Sequence, residues 1–146
     1  MKRLYRFLSL PSRDRHLLIK AALLLGVIRL GLWLLAFQTL QGLLLRIRWK
    51  SARLREADPL SLERIAWAIR VAGRYVPGVT CLIQALAAQV LLEQEGHPAC
   101  LRIGVAKDKN GRLQAHAWTE SGGKVVVGGG NLSSYTLLST PAGKKL

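Results

Sequence analysis

After Thr80 the chain enters a run that is apolar on nearly every side of a helix, Cys81-Leu82-Ile83-Gln84-Ala85-Leu86-Ala87-Ala88-Gln89-Val90-Leu91-Leu92. Past Gly96-His97-Pro98 the hydrophobic period changes. Leu101, Ile103 and Val105 alternate with Arg102 and Gly104, as a half-buried strand does. Asp108-Lys109-Asn110-Gly111 signals a hairpin, with Asn-Gly its strongest part. A second strand is predicted from Leu113 to Glu120, and Ser121-Gly122-Gly123-Lys124 turns the chain into Val125-Val126-Val127. The helix has a cap in Thr80 and a terminator in Gly96. Because it is apolar all round, it must be packed on both flanks. The expected fold is α+β: N-terminal helices and a central helix carrying Cys81, packed on a small antiparallel sheet.

Upstream, Asp58-Pro59 supplies an N-cap and first helical position, and Leu62, Ile65, Ile69 and Ala72 repeat on one face up to Gly73, before Pro77-Gly78 breaks the chain. From His16 to about Leu45 the sequence is nearly all apolar. A membrane span needs about 18 uninterrupted apolar residues, and Lys20 and Arg29 interrupt this run on opposite sides of a helix. The run reads as one long or broken helix covered on several sides by protein, with Gly26 and Gly31 allowing close contact or a bend. Residues 46–57 read as a linker or surface helix. The organisation expected is a basic, leucine-rich helical extension over 1–56, a catalytic core over 57–140 and a loose tail over 141–146.

The net charge of +14 is unevenly spread: residues 1–55 hold 12 Lys or Arg against Asp14 alone, and residues 56–146 hold 10 against 7 acids. Such a field favours an acidic partner. Aromatic residues make up 6% of the chain and do not interleave with the cations, so nucleic acid is not expected, nor is a membrane. Two cysteines cannot build a disulfide scaffold, and no cleavable secretory signal is recognisable, which points to the cytoplasm. Cys81, Cys100, His97 and His116 show no paired ligand spacing, so neither a metal nor another cofactor is expected. No glycine-rich phosphate loop is expected either, because Gly128-Gly129-Gly130 introduces no helix.

The chemistry lies in a pair. A cysteine attacks as its thiolate, a form that a helix N-terminus and a nearby imidazolium stabilise, and Cys81 opens its helix. The free amides of that first turn are also donors for an oxyanion. His116, 35 residues later, sits in the strand between Ala115 and Ala117, small neighbours that leave the ring open as a general base, with Trp118 on the same face to wall the site. A third group normally orients the imidazole. With Gly122-Gly123 as a two-residue turn, Gly129 falls opposite His116 and Asn131 one step diagonally away. Asn131 is thus a candidate, as is a backbone carbonyl or water in the Gly128-Gly129-Gly130 stretch. Glu120 shares the face but lies about 13 Å along the strand.

Several segments together resemble a known family. These are Cys81-Leu82 with Ala85-Leu86-Ala87, Gly96-His97-Pro98-Ala99, Leu101-Arg102-Ile103-Gly104-Val105, Ala115-His116-Ala117-Trp118, Gly123-Lys124-Val125-Val126-Val127-Gly128-Gly129, and the head Tyr5-Arg6-Phe7-Leu8-Ser9-Leu10-Pro11. They resemble the transglutaminase-like leader peptidase of lasso peptide biosynthesis, the B protein, in its stand-alone protease form. The resemblance implies a papain or transglutaminase-like fold and removal of the precursor's leader peptide. It implies as partners a small leader-binding recognition-element protein and an ATP-dependent macrolactam synthetase. Cys81 and His116 carry over by motif; the acidic third residue of some members does not, since this chain has glycines and then Asn131 there. Residues 1–56 then serve as the docking surface for recognition protein and leader, or complete the protease core, or both. Two other readings stay open: acyl transfer to an amine, as in transglutaminases, and a non-catalytic basic adaptor on membrane or nucleic acid.

Overall fold

The computed structural model describes residues 1–36, 39, 40, 42, 43, 58–130 and 132–138. Helix α1 spans Lys2–Leu8, α2 Ser12–Leu34, α3 Pro59–Gly73 and α4 Cys81–Gln94. Strands β1 (Cys100–Lys107), β2 (Leu113–Ser121) and β3 (Lys124–Val127) follow, then a 3-10 turn at Leu132–Ser134 and a short β4 at Thr136–Leu137. The sheet is antiparallel in the order β3-β2-β1-β4. The fold is α+β, as the change of period implies. The linker or surface helix expected over 46–57 and the tail 141–146 fall outside the described residues.

Helix α4 is central. Eight of its fourteen residues are buried, Ile83, Ala85 to Ala88 and Val90 to Leu92, and it packs on α2, α3 and the sheet. Its alanines let neighbouring elements approach closely, and burial of its leucines contributes the largest hydrophobic gain, about 1.5–3 kcal/mol per fully buried side chain. The expected caps are present. Asp58 Oδ1 accepts from Leu60 N at 3.0 Å, so α3 begins where Asp58-Pro59 signals. Ile65, Ile69 and Ala72 are buried on its core face. Gly96 ends α4, with His97 N donating to Leu92 O at 2.9 Å.

Helix α2 begins earlier than His16 and breaks at Leu35, whose backbone is extended. Leu18, Ala21, Leu25 and Ile28 enter the common core, and Asp14 pairs with Arg64 of α3. The extension therefore completes the core. The expectation that α2 is covered on several sides is corrected: one face is covered, and Ile19, Leu23, Val27, Leu30 and Leu34 are exposed. Hydropathy records that a face is apolar, not whether a neighbour reaches it. Of its two glycines, Gly31 is the close contact, because a Cβ there would lie 2.8 Å from Leu40 Cδ1; Gly26 has nothing within 4 Å.

Candidate active site

Cys81 is the first residue of α4 and is partly exposed, its thiol free. Thr80 is the N-cap, and its Oγ1 accepts from Ile83 N at 3.4 Å. Gln84 N donates to Thr80 O at 3.1 Å. The amides of Cys81 and Leu82 have no hydrogen-bond partner among the described residues. A helix start in this state offers donors to an anion beside the thiol. The loop entering α4 is buttressed by α2: a Cβ on Gly78 would stand 2.6 Å from Arg29 Nε.

His116 lies in mid-β2, opposite Gly104 of β1. Its Nε2 lies 2.8 Å from Gly128 O. A carbonyl only accepts, so Nε2 carries the proton, and the neutral ring keeps Nδ1 as its basic atom. Trp118 stacks beside the ring, centroids 6.1 Å apart and planes at 24°, and Tyr135 stands against both, its centroid 5.5 Å from the imidazole and 6.4 Å from the indole. Gly104 makes this cage possible, since a Cβ there would be 3.0 Å from both Trp118 and Tyr135. Trp118 is only 3% exposed, and its Nε1 donates to Glu120 Oε1 at 2.9 Å while Arg102 Nε donates to Glu120 Oε2 at 3.3 Å. Glu120 thus fixes the indole, and the indole fixes the plane of the imidazole.

The register prediction needs one correction. Ser121 pairs with Lys124 and Glu120 with Val125, as a Gly122-Gly123 turn with both φ positive dictates, but Thr119 then pairs with Val127. Val126 is the extra residue of a bulge. Beyond it the pairing is displaced by one residue, so Val127 turns into the core and Gly128 comes up beside Trp118, where the even turn would have put Val127, and the expected pairing of Gly129 with His116 is lost. Among the three open possibilities for the third group, a backbone carbonyl holds the ring. Asn131 lies outside the described residues.

Helix and strand are in direct contact: Thr119 Oγ1, fully buried, donates to Ala85 O at 2.6 Å, one turn along from Cys81. Ala117 and Thr119 face that helix, with Leu101 and Val127, whereas His116, Trp118 and Glu120 occupy the alternate face of β2. No hydrogen bond joins Cys81 Sγ to His116 among the described residues. The geometry supplies a thiol at an open helix start and an oriented imidazole on the strand against which that helix packs, without joining them.

Two other features fall outside this pair. A hollow of about 450 Å³ between α2 and α3 is lined by Arg13, His16, Lys20, Ser61 and Arg64. On its wall, Ser61 Oγ donates to Asp58 O at 2.6 Å and stands 2.6 Å from His97 Nε2. With its one proton directed to Asp58 O, the hydroxyl accepts from the imidazole, so this is a tie between α3 and the end of α4 and not an activated nucleophile. Among the described residues no three His, Cys, Asp or Glu side chains gather as a metal site.

Sequence reasoning missed Tyr135 and with it β4, whose pairing of Thr136 with Val105 carries the tyrosine over the outer face. The run Tyr135-Thr136-Leu137-Leu138 has strand-forming side chains and was the available signal. Residues 22–140 match the model of a family described as the transglutaminase-like superfamily. No curated protein and no solved structure matches the chain.

Proposed function

The chain belongs to the transglutaminase-like superfamily, a fold of cysteine peptidases and acyl transferases, and from that premise we propose that it is a cysteine endopeptidase that removes the leader from a lasso precursor peptide in the cytoplasm. Cys81 attacks the scissile carbonyl and forms the acyl-enzyme. His116 takes the thiol proton on Nδ1, the amides of Cys81 and Leu82 receive the oxyanion, the ring passes that proton to the departing amine, and water then gives a proton back through Nδ1 to the sulfur as it releases the acid. Trp118, being buried, serves as the wall that holds the imidazole. The recognition-element protein presents the leader, with residues 1–56 contributing to docking, and the macrolactam synthetase takes the core peptide.

The observation that supports this reading is the open first turn of α4, which carries both the thiol of Cys81 and the unpartnered amides of Cys81 and Leu82. The reading requires the thiol and the imidazole, which no hydrogen bond joins among the described residues and which belong to different faces of β2, to be brought together when substrate binds. The test is incubation of enzyme, recognition protein and precursor, read by mass. Free leader is expected from the native enzyme and none from Cys81→Ala or His116→Ala. Cleavage by Cys81→Ala at the native rate refutes the mechanism, and a cross-linked product in place of hydrolysed leader assigns the acyl-enzyme to transfer.

A further inference from the structure

Among the described residues, the fold buries one of the two apolar faces of α2 and leaves the other exposed. Leu18, Ala21, Leu25 and Ile28 point into the core. On the opposite side Ile19, Leu23, Val27, Leu30 and Leu34, spaced by four, four, three and four residues, form a continuous stripe, each 48 to 65% exposed. At 1.5 Å per residue the stripe is about 22 Å long. Trp33, 80% exposed, stands beside its C-terminal end.

The polar surroundings of the stripe carry one sign of charge. Between residues 19 and 34 the exposed polar side chains are Lys20 and Arg29. Arg13 and Lys20 flank the stripe about 60–90° round the helix from its centre, within reach of long side chains that cover apolar surface and keep their charge in water. Ahead of them α1 has no buried residue and separates Leu4 and Leu8 from Lys2, Arg3 and Arg6. Asp14, the one acid in residues 1–55, is taken by Arg64.

We propose that this face docks on an anionic lipid surface, with α2 lying in the plane of the membrane. The stripe enters the boundary between headgroups and acyl chains, Trp33 anchors one end, and the cations of α1 and early α2 meet the phosphates. The charge pattern favours lipid over a protein groove: an aliphatic stripe bordered only by cations has no acceptor or mixed-sign pattern to fix the register of a partner chain, whereas a fluid anionic surface needs none. Lys20 and Arg29 argue against a span, and so does the buried face, since pulling α2 into a bilayer would strip Ala21, Leu25 and Ile28 from the core they share with α4. Neither objection touches a helix lying on the surface.

Co-sedimentation of the full chain with vesicles tests this. Binding to phosphatidylglycerol vesicles is expected at low salt, weakened about tenfold or more on pure phosphatidylcholine or in roughly 0.5 M salt. Leu23→Glu with Val27→Glu, both at exposed positions, abolishes it while the far-ultraviolet dichroism stays native, and Trp33→Phe removes the vesicle-induced blue shift of fluorescence. The proposal is overturned if the native chain stays in the supernatant with both vesicles, or if the double substitution leaves binding unchanged. A dimer in sedimentation velocity that the double substitution dissociates also overturns it, by giving the stripe to a second copy.

Discussion

Substituting Gly128 by Ala tests the device that orients the imidazole. Gly128 has φ +85, a region that costs an L-residue about 1–2 kcal/mol. Its new Cβ would also stand 2.7 Å from Ala117 O, 2.9 Å from Trp118 Cβ and 3.0 Å from Trp118 Cα. Two of those atoms are backbone of a central strand and cannot rotate aside, so the overlap behaves as core overpacking and adds about 1–3 kcal/mol. The expected loss is about 2–5 kcal/mol, a large share of the roughly 5–15 kcal/mol that holds a domain together. In urea the midpoint should fall by about 1 M or more at the usual slopes. Gly129→Ala is the matched control, because its nearest neighbour is Val125 Cγ1 at 3.8 Å and its φ is not positive; it should stay within about 0.5 kcal/mol. Nitrogen NMR of the imidazole gives the second readout, with the proton on Nε2 in the native chain and that signal shifted or lost in Gly128→Ala. If Gly128→Ala unfolds with Gly129→Ala and keeps the native ring spectrum, the close approach and the carbonyl's orienting role are both refuted.

Thr119→Val keeps the shape of a fully buried side chain and deletes its bond to Ala85 O; a loss of about 1 kcal/mol is expected by thermal or urea unfolding, and an unchanged midpoint would show that the helix–strand tie contributes nothing. Thr80→Ala should cost about 0.5–1 kcal/mol, at the low end because the cap bond is 3.4 Å long, with Thr80→Ser restoring stability. Gly104→Ala pushes a methyl against Trp118 and Tyr135 at 3.0 Å. It should cost about 1–3 kcal/mol and disturb the His116 ring resonances, whereas unperturbed resonances would place the cage elsewhere.

What was legible in the sequence was whatever local chemistry decides. Asp58-Pro59, Thr80, Asn110-Gly111 and Gly122-Gly123 each fix a backbone geometry within a few residues, and each appears where it signals. Trp118 shares a face with His116 because strand parity is local too. The register held for two rungs and then failed at Val126, because the gain from burying Val127 in the core is a tertiary matter that no turn motif records. Tyr135 arrives in the His116 cage through a two-residue strand too short to show a period. The exposed face of α2 was illegible for a related reason: leucines that are buried against α3 and α4 and leucines that stay exposed are spelled alike.

The bulge at Val126 makes this part of the molecule sensitive to insertions and deletions rather than to replacements. Val125, Val126 and Val127 tolerate exchange among β-branched residues, since each keeps its side of the sheet. Removing one of the three takes out the bulge: residue 127 still falls opposite Thr119, but the bend and added twist that bring the Gly128 carbonyl to the imidazole are lost. The interval between a histidine and the atom that steers it is therefore counted here in strand geometry, and family members that differ by one residue in this hairpin need not present the same atom to the ring.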